Sequence, residues 1–406
     1  MSALTFTIES SCRSTRARVG CVTTSNGSFE TPAFMPVGTR GSVKGLTPQQ
    51  IEDTGSQIIL NNAYHLMLRP GDEMIARRGG VHRFMRWNGP ILTDSGGYQA
   101  YSMADINALT EEGVTFQSII DGQKILLTPE RSIEVQNNLG ADIIMAFDDC
   151  PPSVDPASLN ESRKRLAAQR SGPFRKGYDH ATRLREAHER TVRWLERCVR
   201  AHRRPDEQAL FGIVQGGTDL DLRRASAEAI TNIELPGYAI GGVAVGEGTD
   251  LIRSITEFTA PLLPPDKPRY LMGVGYERDI VAAVCAGVDM FDCVLPTRNG
   301  RNAQAFTPQG RLHLRNSAFR EDDRVIDDSC DCEACRGGFS RAYLRHLFMA
   351  KEMLGPTLVS IHNIRHFRRL MLDIRRAIRE DNWSDFGRAW PVAERGSNPT
   401  PEIGSG

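Results

Sequence analysis

Asp292 closes the apolar run Met290-Phe291-Asp292-Cys293-Val294-Leu295-Pro296-Thr297-Arg298, and two arginines, Arg298 and Arg301, stand just beyond it. Asp94 is placed alike in Leu92-Thr93-Asp94-Ser95-Gly96-Gly97-Tyr98-Gln99, and so is Asp148 in Met145-Ala146-Phe147-Asp148-Asp149-Cys150. Gln215-Gly216-Gly217 and Gly241-Gly242-Val243 end two more apolar runs. Three carboxylates converging on one pocket imply chemistry rather than stability. The glycines after Asp94 allow close backbone approach to a ligand, and Tyr98 can stack on a planar ring. Asp94 reads equally well as a cap of the following helix. Asp148 or Asp149 offers a bidentate acceptor to a guanidine-like edge, or else a cap or a salt bridge. Gln215 and the Gly242 turn would supply an amide and exposed backbone groups, although glycine-rich turns are weak signals by themselves.

The elements that must position these residues follow a rhythm. Eight short apolar runs, most ending in a polar residue or a glycine, cover Pro32–Gly38, Gln57–Asn61, Pro90–Gly96, Asp142–Asp148, Leu210–Gly216, Tyr238–Gly242, Tyr270–Gly275 and Val288–Pro296. They alternate with helical stretches such as Thr47–Thr54, Pro129–Leu139, Leu222–Ile230 and Glu277–Ala286, which predicts a parallel sheet. Eight repeats favour a closed (β/α)₈ TIM barrel over an open doubly wound sheet, and the first run ends Met35-Pro36-Val37-Gly38-Thr39 rather than in a dinucleotide-binding glycine turn. Barrel enzymes place their sites at the C-terminal ends of the strands, which is where these acids fall.

Around the barrel, residues 1–31 read as an antiparallel β-sheet cap with turns at Ser25-Asn26-Gly27. The barrel takes 32–298 and 363–390, a zinc-binding subdomain is inserted after the eighth strand at 299–362, and 391–406 reads as a disordered tail. Residues 155–208 are polar and Arg-rich, with a loop expected near 170–185. Net charge is zero, which argues against indiscriminate nucleic-acid binding. The charge is uneven, however: Arg298 to Arg379 holds sixteen Lys and Arg against nine Asp and Glu, an excess of seven. That is either a phosphate-binding face or a solvated helix surface. No apolar run approaches the roughly 20 residues of a membrane span, and Met1–Phe6 shows no export pattern. Nine scattered cysteines fit a reducing cytoplasm better than a disulfide framework.

Cys330, Cys332 and Cys335 form a C-x-C-x-x-C cluster, and His362 follows. Three thiolates and one imidazole make a closed tetrahedral zinc site of the structural type. His346, His366 and the distant His313 compete with His362 for the fourth position. His346 falls on a helical stretch, Ser340–Leu354, that points it elsewhere. His362 precedes the final helix, expected at Ile364–Arg379, and His366, a turn later, is expected to face solvent.

These segments together resemble the tRNA-guanine transglycosylases of the bacterial kind (the queuine tRNA-ribosyltransferase family). The resemblance rests on Phe34–Thr39, Tyr64-His65-Leu66, Leu92–Gln99, Glu111–Phe116, Met145–Cys150, Gly212–Gly216, Gly241–Glu247, Met272-Gly273-Val274-Gly275, Phe291–Arg301, the cysteine cluster and Ser340–Tyr343, over about residues 5–380. It implies exchange of the wobble guanine of GUN-anticodon tRNAs (Asp, Asn, His, Tyr) for 7-aminomethyl-7-deazaguanine in queuosine biosynthesis. It casts Asp292 as the covalent nucleophile and Asp94 as the general acid/base. The base would be held by Ser95, Tyr98, Asp148, Cys150, Gln215, Gly242, Val243 and Met272, and the neighbouring uridines by Arg298 and Arg301. Val245 and Cys150 resemble the bacterial enzymes rather than those taking the bulkier queuine, and Glu247 could face the aminomethyl cation. No redox or nucleotide cofactor is implied beyond one structural zinc per subunit. Departures are Val243, where leucine is commoner, Asn61-Asn62-Ala63 before Tyr64, and an insertion at 171–187 whose basic residues (Arg175, Lys176, Arg183, Arg185) read as an RNA contact or, preferably, as decoration of a helix.

The resemblance also implies a homodimer. Phe339, Tyr343 and His346 would share one helix face. Spacing alone would pack them on their own subdomain, but the family pattern sets them against the other subunit, with Phe84 and Lys44 as partners. Two alternatives remain: a catalytically silent tRNA-binding subunit on the same fold, which retention of three acids disfavours, and an unrelated zinc barrel hydrolase, which a closed cysteine cluster disfavours.

Overall fold

The computed structural model describes residues 2–102, 107–155, 179–244, 248–394 and 402–403. The chain opens on an antiparallel sheet of β1 (Leu4–Ser11), β2 (Arg18–Thr24) and β3 (Gly27–Thr31), whose tight turn includes Asn26. It passes through Pro32 into β4 (Ala33–Gly38), followed by β5 (Ile59–Asn61) and β6 (Ile91–Thr93). An antiparallel excursion, β7 (Asn107–Leu109), β8 (Val114–Gln117) and β9 (Lys124–Leu127), then interrupts the alternation. The rhythm resumes with β10 (Ile143–Met145), β11 (Ala209–Val214), β12 (Gly237–Ile240), β13 (Arg269–Leu271) and β14 (Met290–Cys293). β14 pairs in parallel with β4, Met290 opposite Ala33 and Asp292 opposite Met35, and the eight strands close. The expected TIM barrel is present, with every strand inside or within one residue of its apolar run.

Strand periodicity explains why the barrel has two cores. Alternate residues point inward and outward. Ala33, Met35, Val37, Leu60, Leu92, Ile143, Met145, Phe211, Ile213, Ala239, Tyr270 and Met290 fill one buried cluster, which also takes Val22 and Phe29 from the N-terminal sheet. The alternating partners Phe34, Ile59, Ile91, Ile144, Leu210, Ile240 and Phe291 pack against the helices in a second cluster. The N-terminal sheet therefore plugs the barrel's lower end. Asn26 fixes it there by donating its backbone N–H and its Nδ2 to Asp142 Oδ1, at 3.1 and 3.0 Å, at the entrance of β10.

The helix Pro129–Leu139 matches its expected bounds, with Thr128 capping its first turn and Gly140 its last. The closing helix is longer than expected. It runs 27 residues, Leu354–Glu380, so His362 lies within it rather than before it. Its apolar period persists upstream through Leu358, Val359 and Ile361, all buried. The expected helix Ser340–Leu354 ends instead at Ala350, where Lys351 turns left-handed at φ 61°. The hairpin of β15 (Gln304–Thr307) and β16 (Gly310–His313) and the excursion β7–β9 were not foreseen. Part of the expected tail is ordered: Pro391–Glu394 is helical with Val392 and Ala393 buried, and Glu402–Ile403 runs parallel to β16; its other residues lie outside the described residues. No described helix is long and apolar enough to cross a membrane.

Candidate active site and metal centre

Inward parity carries the side chains of the rim. Met290 is inward, so Asp292 two residues on is inward too, and Leu92 does the same for Asp94 and Ile213 for Gln215. Asp292 Oδ1 accepts from Tyr270 Oη at 2.6 Å and from Gly273 N at 2.8 Å. Both bonds fall on one oxygen, which leaves Oδ2 for a ligand. Burial raises the Asp292 carboxyl and those two donors hold it back.

Asp94 is buried and accepts from Ala63 N at 2.8 Å, from Gln99 Nε2 at 2.9 Å and from Asn62 Nδ2. It therefore does cap a helix, but an earlier one, Ala63–Leu68, whose Asn62 makes no side-chain cap. Burial, helped by the nearby Asp292 charge, pushes Asp94 up to about 6 against its hydrogen bonds. Asp148 is buried and accepts from Gln215 Nε2 at 2.7 Å. Burial and the adjacent Asp149 push it up to about 7. Gln215 Oε1 is buried and has no hydrogen-bond partner among the described residues. The structure thus brings Asp292 and Asp94 into one electrostatic neighbourhood: Tyr270, bonded to Asp292, also feels Asp94.

The remaining expected site residues surround this mouth. Ser95 is buried, its carbonyl accepting from Ser132 Oγ at 2.6 Å, and its hydroxyl lies within hydrogen-bonding reach of Asp148. Tyr98 is half-buried on the helix Gly97–Ser102. Val243 is buried, Met272 half-buried against the inner core. Cys150 is half-buried, and burial with two neighbouring acids pushes its thiol up to about 12, so it presents a neutral wall. Gly242 is left-handed at φ 62°. Arg298, exposed, and Arg301, half-buried, lie three apart on the helix Leu295–Arg301 directly after Asp292. Val245 and Glu247 lie outside the described residues.

Several contributors escaped the sequence reading. Tyr270 bonds Asp292, and Asn62 and Gln99 bond Asp94; inward parity two residues before Met272 is the signal for Tyr270. The insertion is not mere decoration. Arg183 Nη1 and Nη2 reach Asp149 at 2.8 and 2.5 Å, and Arg190 joins at 2.5 Å. Both come from the helix His180–Ala201, which also supplies Thr191 Oγ1 to Asp149 N at 3.1 Å. Residues 171–178 of the insertion lie outside the described residues. A separate cleft of about 1390 Å³, lined by Asn26, His82, Arg131 and Arg204 among others, holds none of the rim residues.

The cysteine cluster is assembled as expected. Cys330, Cys332, Cys335 and His362 are buried, with their ligand atoms all within 4.8 Å of one another. His362 Nδ1 lies 3.3 Å from Cys335 Sγ and 3.5 Å from Cys332 Sγ. A tetrahedral ion with ordinary zinc bond lengths has an S···N edge of about 3.5 Å, so the cage has the right size. His362 Nε2 donates to Phe306 O at 2.8 Å, which leaves Nδ1 with its lone pair toward the sulfurs. Of the competitors, His366 is fully buried, not solvent-facing. It bonds Glu277 Oε1 at 2.8 Å and packs on Trp390. Asn363, the residue after His362, donates to Pro296 O and Gln304 O, both at 2.9 Å, and accepts from Phe306 N at 2.9 Å. Gly300 packs so closely on Ser360 that a Cβ would clash. The metal centre and the arginine helix after Asp292 are therefore built on one scaffold.

A (β/α)₈ barrel with buried, electrostatically coupled carboxylates at its C-terminal rim and a Cys₃His metal site beside it defines a metal-site-bearing barrel enzyme. The family model described as queuine tRNA-ribosyltransferase matches residues 12–171 and 174–393. Queuine tRNA-ribosyltransferases of Synechococcus elongatus and Thermus thermophilus are each 50% identical, over 95% and 98% of this chain and 94% and 96% of their own. That of Nostoc sp. is 51% identical over 97% of this chain and 99% of its own. The chain belongs to the queuine tRNA-ribosyltransferase family, that is, to the tRNA-guanine transglycosylases.

Proposed function

We propose that this enzyme exchanges the wobble guanine of GUN-anticodon tRNAs, those for Asp, Asn, His and Tyr, for 7-aminomethyl-7-deazaguanine. The observation that carries the reading is the mouth itself. Among the described residues Gln215 Oε1 is buried without a partner beside Asp148, so the pocket suits a ligand that brings N–H groups, as a guanine edge does. The flipped base stacks on Tyr98, and Ser95, Cys150, Val243, Met272 and the Gly242 turn close the pocket.

Asp292 Oδ2 attacks the anomeric carbon as the glycosidic C–N bond breaks, and the ribose passes to a glycosyl ester on Asp292. Tyr270 and Gly273 favour the ionised nucleophile. Asp94, near 6, gives its proton to the departing purine. The resulting carboxylate then takes a proton from the incoming base, whose nitrogen attacks the same carbon and releases Asp292. A group titrating near the working pH suits both directions. Arg298 and Arg301 hold the neighbouring uridines.

Cys330, Cys332, Cys335 and His362 hold one structural zinc per chain, since three thiolates and an imidazole leave no open position for catalysis. All nine cysteines are free, which fits a cytoplasmic enzyme. Phe339, Tyr343 and His346 stack in series at 5.9 and 6.4 Å between ring centroids, and Tyr343 and Phe84 are exposed. This supports a two-fold homodimer with an aromatic core. Sedimentation at micromolar concentration checks it: a clean monomer, or an undisturbed Tyr343→Ala dimer, rules it out.

The test of the reaction is exchange of labelled guanine into a GUN tRNA, with denaturing gels for the adduct trapped by an unreactive base. Asp292→Ala should fold, bind tRNA and show no adduct, with turnover down by about 10⁴ or more. An undiminished adduct removes Asp292 from the role.

A further inference from the structure

Arg223 belongs to none of the motifs that singled out the site, yet it is one of the few arginines with no exposed surface at all. It sits on the helix Leu220–Thr231, packed outside β11. Its Nε donates to Gly217 O at 2.9 Å, its Nη1 to Gly241 O at 2.7 Å and Val214 O at 3.2 Å, and its Nη2 to Gly242 O at 3.1 Å. Those four carbonyls belong to the turns that end β11 and β12. One planar fork therefore joins the turn carrying Gln215 to the turn carrying Gly242, and its fixed geometry sets their separation.

The peptide geometry gives this contact a consequence. In a trans peptide the C=O and the following N–H point in opposite directions. The Gly241 carbonyl drawn toward the guanidinium turns the Gly242 N–H away from it. The Gly242 carbonyl does the same for the Val243 N–H. Arg223 stands behind the barrel wall, so both amides are turned toward the mouth. The glycines leave room for this. A Cβ at 241 would come within 2.8 Å of Gln215 Nε2, and one at 242 would run into Gln215 Oε1.

We propose that Arg223 is a positioning residue for base recognition: it holds the Gly241-Gly242 peptides so that the Gly242 and Val243 amides present two donors to the carbonyl oxygen of the bound base, in fixed register with Gln215. It touches no reacting atom. The inference rests on the reading of this rim as the base pocket, so the test carries a control for that reading.

Exchange kinetics are measured on the full-length enzyme with intact tRNA for Arg223→Lys, Arg223→Met and Gln215→Ala, alongside thermal melting. A lysine keeps the charge but cannot span both turns. Arg223→Lys should melt near the parent while its KM for free guanine rises about tenfold or more, the scale of one misplaced hydrogen bond, with KM for tRNA little changed. Arg223→Met should show the same or a larger rise, and if it fails to fold the lysine variant decides alone. A purely structural arginine would lower melting and active fraction but leave the base KM parental in the enzyme that remains; that result in Arg223→Lys overturns the proposal. If Gln215→Ala shifts the base KM and Arg223→Lys does not, Arg223 alone is misassigned. If neither shifts it, the pocket reading falls and the proposal with it.

Discussion

At the barrel mouth Asp94 and Asp148 are pushed up to about 6 and 7, Asp292 is raised as well, and Gln215 Oε1 has no partner among the described residues. At the cysteine cage, three thiols and an imidazole are no less buried, but every ligand atom faces the same point and the remaining imidazole nitrogen is bonded to Phe306 O. Both regions gather polar groups away from water. Burial penalises a charge unless something pays for it, and the two regions differ in who supplies the partner. The cage is completed by an ion and closes. On the proposed reading the mouth is completed by substrate, so its unfavourable electrostatics persist in the free enzyme. Those electrostatics raise Asp94 to about 6, close enough to neutral pH for the proton exchange proposed for it.

The comparison breaks most severely at the cage. Cys332→Ser should lose the metal and lower melting by about 10 °C or more, because binding energy in such sites is folding energy. Base exchange should fall with it, since Asn363 and Gly300 tie the cage's helix to the segment bearing Arg298 and Arg301. Full metal content by elemental analysis together with parental melting would show that the cage is not a structural support.

Removing a proton-transfer group at the mouth should leave the fold alone. Asp94→Asn should still bind tRNA, with turnover down by about 10²–10⁴, measured by guanine washout. Near-parental turnover would take the acid/base role away from Asp94.

The smallest effect sharpens the contrast in sign. Asp148 is raised by burial to about 7. Between its unfolded value of about 4 and 7, the folded state keeps a proton that the unfolded state releases. Stability is therefore lost as pH rises through that window. Asp148→Asn removes the cost, so it should melt a few degrees above the parent at pH 8, with the difference shrinking toward pH 4, while its base affinity falls. A constant difference across pH would mean that Asp148 is not held up by burial. A substitution that stabilises the protein at the mouth and one that unfolds it at the cage would mark the two regions as opposite solutions to the same problem.

The sequence by itself determined the barrel, because strand alternation and the repeated β/α rhythm are local patterns, visible in runs such as Ala33–Gly38 and Met290–Cys293. It also determined which residues end the strands, and the cysteine spacing that makes a metal cage. Where periodicity stopped, boundaries slipped: the closing helix starts ten residues before Ile364, and the hairpin β15–β16 and the excursion β7–β9 went unseen. The partners of the buried polar groups were decided only by the tertiary structure. Tyr270 meets Asp292 across 22 positions, Arg183 meets Asp149 across 34, and Glu277 meets His366 across 89. Asp94 caps a helix that precedes it by some thirty residues. Side-chain hydrogen bonds of this kind depend on which strand ends the closed barrel makes neighbours, and no local pattern encodes that adjacency. For the same reason Arg223, one arginine among many in the sequence, becomes distinctive only when β11 and β12 bring four carbonyls to its fork.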